Sequence, residues 1–129
     1  MRKILLDTNA YSAYRRGDPD VLETLADADR VYLSSIVLGE LYFGFKQGAK
    51  ESKNRKELKS FVAKSTVRLL HVTEETAEVF ADVKTSLTKK GTPIPLNDVW
   101  ISAHCLETGS VLVTYDAHFT TVDGLRIWR

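Results

Sequence analysis

Short apolar runs rich in β-branched residues alternate along this chain with longer segments whose apolar residues recur at helical spacing. This alternation is typical of a parallel sheet, because each parallel strand needs a crossover, usually helical, to return to the same edge. The strand candidates are the five runs Lys3–Leu6, Val31–Leu33, Val67–Val72, Val111–Val113 and Leu125–Trp128. The sequence therefore predicts an α/β fold with a central, mostly parallel sheet of about five strands and helices on both faces.

Capping and turn residues mark where the intervening helices begin and end. Asp18 and Pro19 combine an N-cap with a proline at the first helical position, and Gly48, Gly91 and Gly109 follow three predicted helix ends. The candidate helices are Tyr11–Arg16, one opening at Asp18, one from Ser34 or Ser35 to Gln47, Lys50–Lys64, one from Thr73 to Gly91, and Asn97–Thr108. No repeat or linker interrupts this pattern, so we expect one domain over residues 1–129.

The composition argues against several classes of protein. At 43% hydrophobic and 27% charged residues the chain resembles an ordinary globular domain. Its one cysteine, Cys105, permits no intrachain disulfide, which favours a reducing compartment. The strictly apolar runs are at most three residues long, whereas a membrane span needs about 18. Between Lys3 and Asp7 lie too few apolar residues for a signal-peptide core, so we expect neither a membrane nor a secreted protein.

Four acidic residues fall where the carboxyl ends of the strands should meet. Asp7 directly follows the first strand and Asp116 follows the fourth. Glu40 lies about one turn into the helix that leaves the second strand, and Asp98 lies in the first turn of the helix that leads into the fourth. Right-handed crossovers bring all strand ends to one edge, where open sheets of this kind bind ligands. Clustered carboxylates repel one another unless a cation compensates them, and an all-oxygen ligand set favours Mg²⁺ or Mn²⁺ over zinc.

Each of these acids also has a purely structural interpretation. Asp7 fits a turn or helix N-cap, Asp98 fits a first-turn acid that complements the helix dipole, and Asp116 fits a turn. Glu40 is harder to explain in this way, because a carboxylate on an apolar face pays a desolvation cost. At helical spacing its face carries Ile36, Val37 and Phe43.

Other catalytic chemistries find little support. We expect His71, within a strand, and His118, within a loop, to have core or surface roles, and His104 to pack in the core. Cys105 lies in mid-helix among apolar neighbours, and no nucleophile-elbow glycines occur. The sequence also lacks the GxxxxGK[ST] and GxGxxG phosphate-binding patterns.

A basic segment spans Lys46–Lys64. Seven basic residues against two acidic ones give it a net charge of +5, whereas the whole chain carries only +1. Two interpretations stay open, a solvated helix face and an electrostatic approach surface for phosphates. The candidates for such phosphate contacts are Lys53 and Lys56 in this segment, and Arg15 and Arg16 on the first helix.

The motifs that carry these acids resemble those of the PIN-domain nucleases, specifically the VapC-type toxins of bacterial and archaeal toxin–antitoxin pairs. No single motif is specific, but the ordered set is, and it extends from Lys3 to Trp128. The matching pieces are Leu6-Asp7-Thr8-Asn9, Ser35 with Gly39-Glu40-Leu41 and Gly44, Pro95-Leu96-Asn97-Asp98 with Trp100-Ile101-Ser102-Ala103, and Val113-Thr114-Tyr115-Asp116 with Phe119.

This resemblance implies a function and a set of roles. The catalytic and metal-binding quartet would be Asp7, Glu40, Asp98 and Asp116. Asp7 and Asp98 would be the most direct ligands of Mg²⁺ or Mn²⁺, and Asn9 and Thr114 would orient the carboxylates. The resemblance also implies RNA as substrate, a cytoplasmic location, a homodimer and neutralisation by a small antitoxin, within a larger complex that binds operator DNA through the antitoxin. The antitoxin-clasping helices would carry Tyr11, Tyr14, Leu38, Tyr42, Phe43 and Phe45, about half of which we expect in the core.

Two competing hypotheses stay open at this point. A phosphatase-like enzyme would use Asp7 as nucleophile, but such proteins need a second acid two positions later, where this chain has Asn9. A non-catalytic RNA- or protein-binding module would have purely structural acids. Metal-dependent cleavage of single-stranded RNA that is lost on Asp7→Asn would distinguish an enzyme from such a binding module.

Overall fold

A computed structural model of the chain describes residues 2–128, which contain twelve helices and strands. In chain order they are β1 (Lys3–Leu6), α1 (Thr8–Arg15), α2 (Pro19–Asp27), β2 (Arg30–Ser34), α3 (Ser35–Gln47), α4 (Glu51–Val62), β3 (Val67–Leu70), α5 (Glu74–Lys90), α6 (Leu96–Thr108), β4 (Val111–Val113), a 3₁₀ helix (Ala117–Thr121) and β5 (Arg126–Ile127). No helix within this range is long and apolar enough to cross a membrane.

The five strands form one sheet in the order β3-β2-β1-β4-β5, and all neighbouring pairs are parallel. Leu5, in the central strand, pairs with Tyr32 on one side and with Leu112 on the other. The chain first builds the sheet outward from β1 through β2 to β3, and then returns to the opposite side of β1 for β4. The point between β1 and β4, where the strand order reverses, opens a crevice at the carboxyl ends of the strands.

Helices cover the sheet in two groups. Because such crossovers are right-handed, α1 to α4 lie on one face and α5 and α6 on the other. On the first face, Tyr11 of α1 and Phe61 of α4 are buried and meet edge to face, with ring centroids 5.3 Å apart. On the second, Val83 of α5 and Val99 of α6 belong to a smaller apolar cluster. The predicted α/β fold with a parallel sheet and two helical layers is confirmed.

Several local predictions about secondary structure are wrong. Helix α1 begins at Thr8 rather than Tyr11, because the Asp7 side chain caps it. Strand β3 ends at Leu70, so His71 lies beyond the strand; its partner β2 ends at Ser34, the residue paired with Leu70, and the chain there turns into α3. The final strand is restricted to Arg126–Ile127. His118 lies in a 3₁₀ helix and not in a loop.

Candidate active site

Asp7 lies at the reversal point of the sheet and is held from three directions. Its backbone N–H donates to the carbonyl oxygen of Val113 at 3.3 Å, which continues the β1–β4 pairing. Its Oδ1 accepts the N–H of Ala10 at 2.8 Å and so caps α1. Its Oδ2 accepts the hydroxyl hydrogen of Thr114 at 2.5 Å. The side chain is therefore both a helix cap and a carboxylate fixed in the crevice, and only 4% of the residue is exposed.

The Asp7 carboxyl is expensive to ionise in this position. Burial raises its pKa above the ordinary value of 3.8, and the hydrogen bonds from Thr114 and Ala10 oppose that rise. The negative charges of Asp116 and Asp98 raise the pKa further. A nearby cation would remove this penalty, because it would favour the ionised form.

Thr114 connects the central acid to the loop after β4. Besides donating to Asp7, its hydroxyl oxygen accepts the backbone N–H of Asp116 at 2.9 Å. Thr114 is itself buried. One hydroxyl thus sets the position of Asp7 relative to the backbone of Asp116, as expected for a residue that orients carboxylates.

Asp98 comes from the other side of the crevice, in the first turn of α6. Its Oδ2 lies 2.7 Å from Nε2 of His118. Burial raises the pKa of Asp98, the hydrogen bond and charge of His118 lower it, and the charges of Glu40 and Asp116 raise it again. The four predicted acids are therefore electrostatic neighbours, although the chain separates Asp7 from Asp116 by more than 100 residues.

Asp98, Asp116 and His118 together form a group that can bind a cation. The Nδ1 atom of His118 lies 3.3 Å from Oδ1 of Asp116, and one ligand atom from each of the three residues lies within 4.8 Å of the others. Two carboxylates and an imidazole can hold a divalent ion such as Mg²⁺ or Mn²⁺. The group contains none of the cysteine thiolates that are typical of structural zinc sites. Asp7 adjoins this group through Thr114.

Glu40 is held by neutral partners. Its Oε1 accepts the hydroxyl hydrogen of Thr8 at 2.5 Å, and its Oε2 accepts from the side-chain amide of Asn97 at 3.3 Å. The carboxylate thereby links α3 to the first turns of α1 and α6. Of the three apolar residues that share its predicted face only Val37 is buried and Phe43 is 67% exposed, so this face packs only in part. Glu40 instead borders an open groove lined by Ser35, Ile36, Gly39, Phe43 and Asn97.

Sequence reasoning missed three residues that contact the acids. Thr8 and Asn97 stand beside Asp7 and Asp98 in two of the motifs that resemble those of PIN-domain nucleases, and this position and their polar side chains were the available signals. His118 was expected to have a core or surface role, and only its position two residues after Asp116 pointed to the site. Asn9, by contrast, is exposed and makes no side-chain hydrogen bond within residues 2–128.

The candidate RNA-binding residues lie away from the acids. Arg15 stands in the last turn of α1, about 10 Å along the helix axis from Thr8. Its guanidinium donates to Glu57 at 2.6 Å and to Asn54 at 2.7 Å, both on α4. Nζ of Lys53 lies 3.9 Å from Glu57 as well. Arg16 and Lys56 are exposed. These four residues therefore belong to the surface around α1 and α4.

The residues proposed to clasp an antitoxin divide into core and surface. Tyr11 and Phe45 are buried and Phe43 is 67% exposed, so two of the six residues are fully in the core, fewer than the half that was expected. Tyr14, Leu38 and Tyr42 are half-buried. A groove between α3 and α4 is lined by apolar residues and by three cationic ones: Leu38, Tyr42, Leu58, Val62 and Leu69, and Arg55, Lys56 and Lys59.

Comparison with known proteins places this arrangement in a family. Residues 4–125 match the PIN domain family model. Over 114 residues the chain is 31% identical to "Ribonuclease VapC2" of Rickettsia felis, which covers 85% of this chain and 84% of that protein. It is 28% identical over 130 residues to the "tRNA(fMet)-specific endonuclease VapC" of Salmonella typhimurium, covering 98% and 97% of the two chains.

Solved structures agree with this assignment. The DNA-bound VapBC structure from Salmonella typhimurium superimposes with a TM-score of 0.85 and 28% identity, covering 98% of this chain and 97% of that one. VapBC2 from Rickettsia felis, bound to a promoter DNA fragment, gives a TM-score of 0.83 at 28% identity and covers 97% and 96%. Residues 4–125, which match the PIN domain family model, contain all four acids. The chain belongs to the PIN-domain family and, within it, to the VapC ribonucleases.

Proposed function

We propose that this VapC ribonuclease hydrolyses RNA phosphodiesters with one or two divalent ions, Mg²⁺ or Mn²⁺, bound by Asp7, Asp98 and Asp116, with Glu40 completing the site. The observation that carries the proposal is the convergence at the sheet reversal, where ligand atoms of Asp98, Asp116 and His118 lie within 4.8 Å of one another. Asp7 adjoins them through its 2.5 Å hydrogen bond with Thr114. When bound, a divalent ion neutralises charge on the scissile phosphate and acidifies water at the reaction centre.

The residues of the chain position that chemistry. Thr114 and the Ala10 N–H fix the two oxygens of Asp7, so this carboxylate keeps its orientation without a bound ion. Thr8 and Asn97 do the same for Glu40. Fixed carboxylates lose little conformational freedom when a ligand binds, which makes the site preorganised.

RNA is expected to enter along the open groove beside Glu40. The groove lies at the surface, where a single-stranded or looped segment can reach the acids, whereas a base-paired helix presents its backbone less flexibly. Lys53, Lys56, Arg15 and Arg16 would attract the phosphate backbone from the surface around α1 and α4. They act on encounter and not on the reacting atoms, because they lie away from the acids.

A small antitoxin protein is the proposed partner. The matching structures from Salmonella typhimurium and Rickettsia felis are VapBC complexes on DNA, which supports such a partner here. The groove between α3 and α4 offers it a partly apolar, partly cationic surface that contains Leu38 and Tyr42. A homodimeric toxin in the cytoplasm, joined to operator DNA through the antitoxin, completes the proposal.

The two competing hypotheses are less consistent with the geometry. A phosphatase-like nucleophile at Asp7 would need a second acid two positions later, where the exposed and neutral Asn9 stands. A non-catalytic module has no need of several acids whose charges raise the pKa of their neighbours.

The test is cleavage of a fluorescently labelled single-stranded RNA with Mg²⁺ or Mn²⁺ and with EDTA. We expect cleavage that EDTA abolishes and that Asp98→Asn and Asp116→Asn each remove, because each loses a ligand charge. Asp82→Asn is the matched control, since it makes the same change on an exposed residue of α5. Cleavage that persists in EDTA would contradict the proposal.

A further inference from the structure

We propose that His118 is a nitrogen ligand of the divalent ion in this site and makes the site favour Mn²⁺ and Co²⁺ over Mg²⁺. The inference rests on the proposed function and adds a ligand and a metal preference to it. It assigns His118 a role different from that of a surface or core histidine.

The imidazole ring lies between the two carboxylates. Its Nε2 is 2.7 Å from Oδ2 of Asp98 and its Nδ1 is 3.3 Å from Oδ1 of Asp116. The ligand atoms of the three residues lie within 4.8 Å of one another. Ligands on opposite sides of one small divalent ion are about 4 Å apart, so small side-chain rotations let all three contact the same ion.

The backbone around His118 is anchored. The next residue, Phe119, is 1% exposed and belongs to the main core, and its ring centroid lies 4.9 Å from that of His118. The hydroxyl of Thr121 donates to the carbonyl oxygen of His118 at 2.9 Å. The imidazole itself keeps 32% of its side-chain surface exposed. The ring is thus held beside the acids and is still accessible to an ion from solvent.

Stability alone gives little reason for a histidine at this position. A partly exposed contact between an imidazole and a carboxylate contributes about 1 kcal/mol or less. A neutral imidazole has one N–H donor and one lone pair. In metal centres a histidine gives its lone pair to the ion and donates its other N–H to a carboxylate, and here a carboxylate faces each nitrogen.

The donor set determines the metal preference. Mg²⁺ prefers oxygen ligands and sheds its water reluctantly, whereas affinity for nitrogen-containing sites rises along the first transition row. Replacing one oxygen ligand by an imidazole nitrogen therefore raises affinity for Mn²⁺, and more strongly for Co²⁺, relative to Mg²⁺.

Two measurements on the purified full chain test this inference. Pulsed electron paramagnetic resonance of added Mn²⁺ reports directly bound ¹⁴N, and calorimetric titration gives the affinities for Mn²⁺, Co²⁺ and Mg²⁺. The variant is His118→Gln, and the matched control is His71→Gln, an exposed residue beyond β3. We expect ¹⁴N coupling in the wild type and in His71→Gln but not in His118→Gln. The Mn²⁺ to Mg²⁺ affinity ratio should fall about tenfold or more in His118→Gln.

The outcomes separate this inference from the proposed function. Mn²⁺ bound to the wild type without ¹⁴N coupling, or an unchanged affinity ratio in His118→Gln, would overturn the ligand role while leaving the metal-dependent nuclease intact. A wild-type chain that binds none of the three ions would overturn both. If His118→Gln fails to fold, the spectra of the wild type and of His71→Gln still decide the question. The chain has three histidines and His104 is buried, so ¹⁴N coupling that persists in His71→Gln comes from His118.

Discussion

The hydroxyl of Thr114 donates to Oδ2 of Asp7 at 2.5 Å across 107 residues of chain. The hydroxyl oxygen of Thr114 also accepts the N–H of Asp116, so Thr114 joins the ends of β1 and β4 where the sheet order reverses. The geometry of the acids therefore depends on a neutral side chain as well as on the acids themselves.

Thr114→Val should lower the free energy of unfolding by about 1–3 kcal/mol and reduce RNA cleavage. The substitution keeps the shape but leaves Oδ2 of Asp7 and the N–H of Asp116 without their partner in a buried place. Thr114→Ser, which keeps the hydroxyl, is the control and should lose much less activity. Urea denaturation and the RNA assay check both effects; equal losses in the two variants would mean that packing and not the hydroxyl matters.

Asp7→Asn should be more stable than the wild type without metal at about pH 7, and it should not cleave RNA. The folded-state pKa of Asp7 is raised above 3.8, so the ionised carboxylate destabilises the fold above that folded pKa. The advantage of Asn should shrink as the pH falls towards 3.8. Denaturation in EDTA across this pH range measures the difference in stability between the two chains. An Asp7→Asn variant that is less stable than the wild type at neutral pH would contradict the prediction.

Asp7→Ala should differ from Asp7→Asn. Alanine removes the cap on α1 that Oδ1 provides to the Ala10 N–H, and such a loss costs about 1 kcal/mol. We therefore expect Asp7→Ala to be about 1 kcal/mol less stable than Asp7→Asn, although both should be inactive. Denaturation of the two variants side by side measures the difference, and equal stabilities would mean that the cap contributes nothing.

His104 should make the chain less stable in mild acid. Burial lowers the pKa of His104 below 6.5, while Nδ1 faces Ser34 and Nε2 faces the carbonyl oxygen of His71. The unfolded chain takes up this proton as the pH falls through about 6.5 and the folded chain resists it, so stability decreases in that direction. His104→Gln removes this titration. Its stability should fall less steeply with acid, by up to about 1.4 kcal/mol per pH unit, and parallel curves for the two chains would exclude His104 as the cause.

Lys56→Gln should weaken RNA binding without changing turnover at saturating RNA. If Lys56 contacts a phosphate, its loss should reduce the slope of log affinity against log salt by about 0.7. Lys53→Gln should have a smaller effect, since Lys53 already lies 3.9 Å from Glu57. Lys89→Gln, at the far end of α5, is the matched control. An unchanged slope for Lys56→Gln would mean that α4 is only a solvated face.

The parallel sheet and the placement of the acids could be predicted from sequence because both follow from the order of elements. Asp7 directly follows an apolar run, and handedness then places it beside Asp116. The orientation of single side chains could not be predicted. Helical spacing places Phe43 three residues from Glu40, but spacing alone does not say which flank of the helix faces solvent. A 3₁₀ helix of five residues has no periodic signal, so the approach of His118 to the acids was not visible either.

The neighbouring position of β1 and β4 also determines when during protein synthesis the chain acquires its site. Asp7 leaves the ribosome early, but its partner Thr114 and the acid Asp116 are translated more than 100 residues later. Contacts between residues so distant in sequence also form late in folding, because the long loop must close first. A nascent chain that has not reached β4 holds Asp7, Glu40 and Asp98 but lacks Thr114, Asp116 and His118, so the centre is not assembled. Toxicity therefore begins only after this late segment has been synthesised and has inserted beside β1, which leaves a protein that binds the earlier helices time to engage the chain before it can cut.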